Sequence, residues 1–510
     1  MAKRDDTRVA AETDGAAGRR PDVLRAGSEV RERTGGGGKD RPAPAKRRYF
    51  ELPYGVPGQR LVRPDLDLVS MVSRGPTQTY EIDVTVLDAA DLRLTRAGVT
   101  LAHRVAEGRG EWYLAAPGWA PYLPVETIEP MGEADLPPGL AELVLPFRRH
   151  APLEPVAALH CERSEFVIRG AAHETRAVLH DDRVTVRRGG MTMARYREVT
   201  LQPVDLNRKQ LGWLTESLQA VGGTRVKELP QPGTRLGVPA SALGRFDDVE
   251  WDTGTDLEGF VTALLAARLR EWLTADLSLR TGTTHDARLL TEVLAGLRGE
   301  LRGLAQALEP RWVEDVDQEF DWLIDQLGGL DADPGRAPVT AGPVLRSQRY
   351  LRLLDLVVQS SSVPRLGTAG TAPATEAVAL AVQQAVHALL KAGRTLSPTS
   401  PSEDWAGLRV LADQAHATTL VARRNLPTWA RKVDKRVRRL TELLPGCVDP
   451  QLAEIERSVS ELGPQQAFSA GRRYEQLLAA QTRARREVLS QWGPLQERLR
   501  AAVRANGTPR

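Results

Sequence analysis

The densest charge in the chain lies between Arg423 and Arg439, where eight basic residues accompany one acid, Asp434. The apolar spacing predicts a helix from Pro427 to Leu444. Its apolar stripe would be Trp429, Val433, Val437, Leu440 and Leu444, and its basic face Arg431, Lys432, Lys435, Arg438 and Arg439. Cations this close together can bind a polymer with about one charge per phosphate, with affinity that falls as salt rises. The alternative is a solvated face whose aliphatic stems cover apolar surface.

A second polar pattern runs along Tyr80–Val86. Successive side chains of a β-strand point to opposite faces, so one face would be polar and the other apolar. The polar face holds Glu81, Asp83 and Thr85, and the apolar face Ile82, Val84 and Val86. Carboxylates are ligands that magnesium prefers.

The stretch from Tyr80 to Pro203 resembles the CYTH family, which includes class IV adenylyl cyclase and thiamine triphosphatase and is also called the triphosphate tunnel metalloenzymes. The resemblance is carried, in order, by Glu81-x-Asp83, Asp88, Leu94–Leu101, Trp112–Leu114, Arg163, His180–Val184 and Tyr196–Val199. It implies an antiparallel eight-stranded barrel around a tunnel, where carboxylates hold a divalent cation and basic side chains hold a triphosphate. On this resemblance the ligands of magnesium or manganese would be Glu81, Asp83, Asp182 and Glu198, and the anion-binding residues Arg104, Arg163 and Arg197.

Several positions lack charges that the family carries. Thr85 stands where the family has Lys, Ala102 replaces an Arg, and Ala115 replaces a Lys. The late strand Glu198–Gln202 lacks two of the family's three carboxylates. Since phosphoryl transfer depends on positioning and on cations that stabilise developing charge, we expect a pseudoenzyme rather than an efficient triphosphatase.

Beyond Gly254 the apolar period changes from 2 to 3.6, which indicates helices. One helix is predicted over Thr284–Leu308, with Thr284 as its N-cap. This half resembles a CHAD domain through His285-Asp286-Ala287-Arg288, Gly303–Pro310, Arg349–Asp355 and Leu408-Arg409. The resemblance implies a bundle of two four-helix halves that binds inorganic polyphosphate. Its anion-binding residues would be Arg288, Arg302, Arg409, Arg431, Lys432, Lys435 and Arg439, a depleted set because Leu289–Glu292 replaces the expected basic pair.

The whole chain of 510 residues has a net charge of only +3, so polyanion binding would have to come from local clusters. Its two cysteines, Cys161 and Cys447, match no metal-ligand spacing, which favours a reduced cytoplasm. We find no secretory signal and no span for a bilayer, and expect no membrane partner.

We therefore predict an α+β protein with five segments. Residues 1–48 would be a disordered cationic tail, 49–79 an irregular lead-in, 80–236 the CYTH-like barrel, 237–255 a linker, and 256–505 the CHAD-like bundle. The expected function is binding of inorganic polyphosphate or another phosphate-rich anion without efficient catalysis. The alternatives are an active metal-dependent triphosphatase and a structural or interaction protein whose two sites have decayed. Nucleic acid is a weaker candidate because no nucleic-acid motif is present.

Overall fold

The computed structural model describes residues 46–74, 79–131, 135–230, 232–238, 246, 254–328, 341–366, 370–458 and 462–504. The predicted tail, 1–48, and the predicted linker, 237–255, lie largely outside the described residues. The chain divides into two compact units. Unit 1 comprises Met1–Arg245 with Arg280–Thr283, and unit 2 comprises Phe246–Leu279 with Thr284–Arg510.

Unit 1 is built on one antiparallel sheet. Its strands are β1 (Arg48–Leu52), β2 (Ser70–Ser73), β3 (Tyr80–Asp88), β4 (Thr100–Ala106), β5 (Arg109–Ala115), β6 (Glu126–Pro130), β7 (Glu154–Arg169), β8 (Thr175–Arg188), β9 (Met191–Pro203) and β10 (Thr224–Val226). They are ordered β10-β1-β9-β8-β7-β3-β4-β5-β6, and β2 also pairs with β7. The sheet has ten strands where the resemblance implies eight, and no pairing among the described residues joins β10 to β6.

The predicted irregular lead-in, 49–79, supplies two of these strands, so that prediction is wrong. β1 pairs with both β9 and β10, and it buries Phe50 and Leu52. β2 pairs with β7. These strands have five and four residues, which is too short for an alternating pattern to stand out among the neighbouring Pro and Gly residues.

The two faces of the sheet carry different apolar clusters. Face A is the face that bears Ile82, Val84 and Val86. Buried apolar residues of β3, β4, β5, β7 and β8 form one cluster on it. Face B, the opposite face, bears Glu81 and Asp83. Towards β1, face B carries a second cluster that packs against the helix that follows β9. The predicted alternation in β3 is confirmed, because its three apolar residues are at most 2% exposed while Glu81 and Asp83 are exposed.

Four helices accompany the sheet in the described part of unit 1. They are α1 (Arg93–Arg96), α2 (Pro138–Arg148), α3 (Arg208–Ala220) and α4 (Pro232–Arg235). α3 begins with a capping box, in which Asn207 Oδ1 accepts from Gln210 N at 3.0 Å and Gln210 Oε1 accepts from Asn207 N at 2.8 Å.

Unit 2 is helical, so the predicted change from strands to helices along the chain is confirmed. Its described helices are α5 (Leu257–Arg280), α6 (Arg288–Gly303), α7 (Pro310–Gly328), α8 (Gly342–Arg346), α9 (Gln348–Ser360), α10 (Ala374–Ala392), α11 (Ser402–Asn425), α12 (Pro427–Leu443), α13 (Pro450–Ser458) and α14 (Pro464–Arg504). These number ten, where the CHAD resemblance implies eight. Across the described residues, we find no helix with the length and apolarity that a bilayer crossing requires.

α6 is shorter than predicted, and Thr284 is not its N-cap. Thr284 Oγ1 instead accepts from Asp286 N at 3.2 Å, and Asp286 Oδ1 accepts from Arg288 N at 2.8 Å, where the helix begins. The helix ends at Gly303, whose position allows close contact with α11. A Cβ atom there would lie 2.7 Å from the carbonyl oxygen of Ala417.

We predict that Gly393→Ala destabilises unit 2. A Cβ atom at Gly393, which follows α10, would overlap the Trp492 ring of α14, so the substitution should cost about 1–3 kcal/mol of unfolding free energy. The matched control is Gly407→Ala in α11, where the new methyl group meets nothing within 4 Å. That change should stabilise by about 0.5–1 kcal/mol. Denaturant titration followed by circular dichroism measures both, and equal stability of Gly393→Ala and wild type would refute this packing.

Candidate functional site

A row of polar side chains crosses face A. The strand register places Tyr80 opposite Arg163, Arg163 opposite Asp182, Asp182 opposite Glu198, and Glu198 opposite Glu51. Directly opposed residues of antiparallel strands share a face, so all five side chains lie on the same side of the sheet. We call this set the polar row.

Two arginines on face A, Arg163 and Arg104, lie against carboxylates. Arg163 binds Asp182 through two hydrogen bonds of 2.6 Å, from Nε to Oδ1 and from Nη2 to Oδ2. Arg104, which is fully buried, donates from Nε to Glu111 Oε2 at 3.0 Å, and its guanidinium lies 4.9 Å from the centroid of the Tyr113 ring. The two predicted anion-binding residues on this face therefore already carry anionic partners.

A third arginine reaches the polar row from α4. Arg235 Nη2 donates to Glu198 Oε1 at 2.8 Å and also to Glu51 Oε1. Its guanidinium stacks over the Tyr196 ring at 4.2 Å from the centroid. Burial lowers the pKa of Arg235, but the two carboxylates outweigh that effect and raise it above its usual value. The Arg235 side chain is therefore a fixed cation that neutralises the β1 and β9 carboxylates.

Carboxylates accompany the cations of face A. Arg104 contacts Glu111, Arg163 contacts Asp182, and Arg235 contacts Glu51 and Glu198. Glu165 contacts Arg74 Nη1 at 3.8 Å and His180 Nδ1 at 3.0 Å. A triphosphate would therefore compete with carboxylates for these cations.

The four predicted metal ligands do not converge. Asp182 and Glu198 lie on face A, whereas Glu81 and Asp83 lie on face B, because the side chains of a strand alternate. Asp83 Oδ1 instead contacts His160 Nδ1 of β7 at 2.9 Å. Among the described residues, no group of three or more His, Cys, Asp or Glu side chains could hold a metal ion. The residues present therefore do not fit the magnesium or manganese site that the resemblance implies.

Arg197, the third predicted anion-binding residue of the sheet, also lies on face B. It is 2% exposed and donates to both oxygens of Asp181, at 2.7 and 2.6 Å. A further hydrogen bond from Nη1 reaches the carbonyl oxygen of Val56. Its position and partners are those of a structural ion pair.

Sequence reasoning missed three residues of face A, namely Glu51, Glu111 and Arg235. Glu51 could have been found from the alternation in Tyr49-Phe50-Glu51-Leu52. This pattern places Glu51 on the face of the sheet that does not bear the buried Phe50. Arg235 gives no such signal, because its role depends on α4 lying against β9, far away in the sequence.

In unit 2, the basic residues of α12 line a groove. The groove has a volume of about 590 Å³ and is lined by Arg423, Thr428, Arg431, Lys432, Asp434, Lys435, Arg436 and Arg438. Six of these eight side chains are cationic and one, Asp434, is anionic. Arg431, Lys432 and Lys435 are exposed, and the predicted apolar stripe of the helix is buried on its other side. We call this feature the α12 groove.

Asp434 is the carboxylate within the groove lining, and side chains of α11 contact it. It is 5% exposed, and its Oδ1 accepts from Thr419 Oγ1 at 3.2 Å. His416 Nδ1 lies 2.9 Å from the same oxygen, and Arg423 Nη1 lies 3.6 Å from Oδ2. Asp434 therefore offsets charge at the Arg423 end of the groove.

The other predicted anion-binding residues do not line the α12 groove. Arg302 shares Asp317 with Arg298, and their hydrogen bonds of 2.6 to 3.0 Å outweigh burial and hold the pKa of Asp317 well below its usual value. Arg439 Nη1 lies 3.7 Å from Glu442, and Arg409 Nε lies 4.0 Å from Asp413. Arg288 is exposed at the start of α6. Only Arg431, Lys432 and Lys435 of the predicted set come together in the groove.

We predict that Arg163→Met destabilises unit 1 by about 3–5 kcal/mol, because it leaves the Asp182 carboxylate buried without its cation. The double variant Arg163→Met with Asp182→Leu should recover most of that loss, since two apolar groups replace the pair. Exposed Arg187→Met is the control and should be close to neutral. Urea unfolding of the three variants measures these changes. Wild-type stability of Arg163→Met would show that the Arg163–Asp182 pair does not stabilise unit 1.

No protein-family model matches the chain. Two relatives from Mycobacterium tuberculosis, uncharacterized protein MT2285 of strain CDC 1551 / Oshkosh and uncharacterized protein Rv2226 of strain H37Rv, are each 26% identical over 412 residues, which cover 69% of this chain and 78% of the relative. A crystal structure of a candidate adenylate cyclase from Bacillus halodurans is 14% identical and covers 32% of this chain and 84% of that chain, with a TM-score of 0.19. HpAC1 from Hippeastrum, a candidate adenylyl cyclase with a dominant triphosphatase activity, is 13% identical and covers 38% of this chain and 97% of that chain, with a TM-score of 0.20. Both TM-scores are too low to assign a fold or an activity to this chain.

Proposed function

We propose that this protein binds inorganic polyphosphate or another phosphate-rich anion in the α12 groove. We further propose that unit 1, which resembles the CYTH family in sequence, does not turn over triphosphate efficiently. The observation that supports binding is the lining of the groove, with six cationic side chains against the single carboxylate of Asp434.

The shape of the cationic surface favours a linear ligand. α12 has 17 residues, which corresponds to a length of about 25 Å. Arg431, Lys435 and Arg438 are spaced at i, i+4 and i+7, so they lie along one side of the helix. An extended polyanion would contact them in series and release counterions as it does so.

The exposure of these cations keeps their charge available. Arg438 Nε lies 3.7 Å from Glu442, but both side chains are more than half exposed. Exposed pairs of this kind contribute little energy, so an incoming phosphate would displace the carboxylate readily. Arg163 of unit 1 differs, because it would have to give up two hydrogen bonds to Asp182, a carboxylate that is itself buried.

The proposed impairment of unit 1 is supported by the contacts of the arginines on face A. Catalysis of phosphoryl transfer requires cations directed at the transferring group. The face A arginines are held by carboxylates, and the predicted metal ligands are divided between the two faces. These two features support the proposal that unit 1 is a poor catalyst of this chemistry.

We predict that the purified protein releases no phosphate from tripolyphosphate above a protein-free control, with either magnesium or manganese present. The physical reason is that Arg104, Arg163 and Arg235 are each held by a carboxylate. A colorimetric phosphate assay measures the release. Metal-dependent release that is lost in Glu198→Ala would instead establish the active triphosphatase.

We predict that the triple variant Arg431→Ala, Lys432→Ala, Lys435→Ala binds polyphosphate far more weakly than wild type. Wild-type affinity should fall steeply between low and moderate salt. The slope of log K against log salt should be shallower in the variant by about two to three, one counterion for each lost contact. Titration of a labelled polyphosphate by fluorescence anisotropy at several salt concentrations gives both quantities.

The matched control removes the same charge elsewhere in unit 2. Arg472, Arg483 and Arg486 are exposed on α14, and their replacement by Ala should leave affinity and salt slope near the wild-type values. An equal loss in both triple variants would mean that only net charge matters. Absence of binding by wild type at low salt would reject the proposed function and favour the structural class.

A further inference from the structure

A histidine of α11 lies against the carboxylate in the lining of the α12 groove. His416 Nδ1 is 2.9 Å from Asp434 Oδ1, and the His416 side chain is 29% exposed. Asp434 itself is buried, so the two residues meet where α11 and α12 pack against each other. We call this contact the His416–Asp434 pair. It joins an imidazole ring to the charge of the groove.

Two further side chains contact Asp434. Thr419 Oγ1 donates to Oδ1 at 3.2 Å, and Arg423 Nη1 lies 3.6 Å from Oδ2. The Arg423 side chain is 42% exposed and also lines the groove. This arginine therefore borders both the carboxylate and the space that a ligand would occupy. The negative charge of Asp434 attracts Arg423 and competes with a ligand for it.

Other charged groups belong to α11 and to the elements packed against it, which are α6, α10, α12 and the turn Leu444–Cys447. α12 contributes Asp434 and the cations of the groove lining. Charged groups of α6 and α11 at this interface have partners of their own: Glu300 binds Arg424, Arg302 binds Asp317, and Asp413 lies 4.0 Å from Arg409. The charged or titratable residues of α10 are exposed, and they are Glu376, His387 and Lys391.

The turn Leu444–Cys447 brings a thiol to α11. Burial raises the pKa of Cys447 to about 11, so this thiol stays neutral at physiological pH. Among the described contacts of Asp434, His416 is the one whose residue type changes charge between about pH 5 and 8. Protonation of this ring would therefore change the charge at the Arg423 end of the groove.

Protonation of His416 also changes the balance of attraction at Asp434. A neutral imidazole leaves the charge of the carboxylate to be balanced by Arg423. An imidazolium at 2.9 Å supplies a full positive charge that is closer to Asp434 than Arg423 is, at 3.6 Å. Because attraction between opposite charges weakens with distance, the imidazolium is the stronger partner. Arg423 then becomes available to a phosphate group.

We propose that the His416–Asp434 pair makes anion binding in the α12 groove pH-dependent, with a polyanion bound more tightly when His416 is protonated. This inference rests on the function proposed above and adds a regulation of the same site. At mildly acidic pH the ligand gains one more phosphate contact, through Arg423. Coupling between two binding events is reciprocal, so the bound polyanion also favours the protonated ring, and binding at about pH 6.5 takes up protons.

The ligand itself titrates in the opposite sense. The end groups of a polyphosphate chain gain negative charge as the pH rises through about 6, which on its own would tighten binding at high pH. Long chains keep this effect small because their end groups are few. Tighter binding at low pH therefore reports on the protein, and variants identify the group responsible.

The test is fluorescence anisotropy titration of the full-length protein with labelled long-chain polyphosphate at about pH 5.5 and about pH 8, over several salt concentrations. Wild type should bind at least about fivefold more tightly at the lower pH and low salt. Its slope of log K against log salt should be steeper there by about one, for the contact of Arg423. His416→Gln cannot become charged and should lose both differences. His416→Arg carries a permanent cation and should bind at the higher pH as tightly as wild type does at the lower.

His387→Gln is the matched control, because His387 is an exposed histidine of the same unit, on α10. It should keep the full pH dependence of wild type. Calorimetry in two buffers of different ionisation enthalpy should show proton uptake by wild type and none by His416→Gln. Equal affinity of wild type at both pH values overturns the inference, as does pH dependence that persists in His416→Gln or His416→Arg. Absence of binding by wild type at either pH would instead reject the proposed function, and this inference with it.

Discussion

The sheet of unit 1 depends on the rule that a charge removed from water needs a partner of opposite sign. Arg104, Arg163 and Arg197 are each at most 2% exposed, and each donates to a carboxylate. Their partners are Glu111, Asp182 and Asp181. The pairing lets the strands carry arginines inside an otherwise apolar layer, and the same pairing neutralises the charge that would attract a phosphate. Stability and polyanion binding therefore place opposite demands on these residues.

Unit 2 places its cations differently. The apolar stripe of α12 is buried, and the basic side chains project from the opposite side of the same helix. Water, rather than a carboxylate, stabilises most of that charge, so little has to be broken when an anion binds. A single chain thus contains arginines that serve as internal counter-ions and arginines that remain available to a ligand.

The sequence predicts what local periodicity determines. The alternation in β3 and the stripe of α12 both appear in the structure, because each depends on neighbours a few residues away. The grouping of the carboxylates could not be predicted, since it depends on strand register, and a shift of one residue moves a side chain to the other face. The start of α6 was missed for a local reason. Thr284 Oγ1 accepts a hydrogen bond from Asp286 N, and the helix begins four residues later, at Arg288.

Arg235 is a cation of face A that comes from a helix rather than from a strand. It is contributed by α4, a four-residue helix that lies after the last strand of the sheet. The sheet is therefore electrostatically incomplete until the chain beyond β10 has been synthesised and has folded back. A fragment that stops before this residue would contain every strand and still leave Glu51 and Glu198 facing each other across β1 and β9. Unit 1 therefore needs residues beyond its last strand to balance the charge of the Glu51 and Glu198 pair.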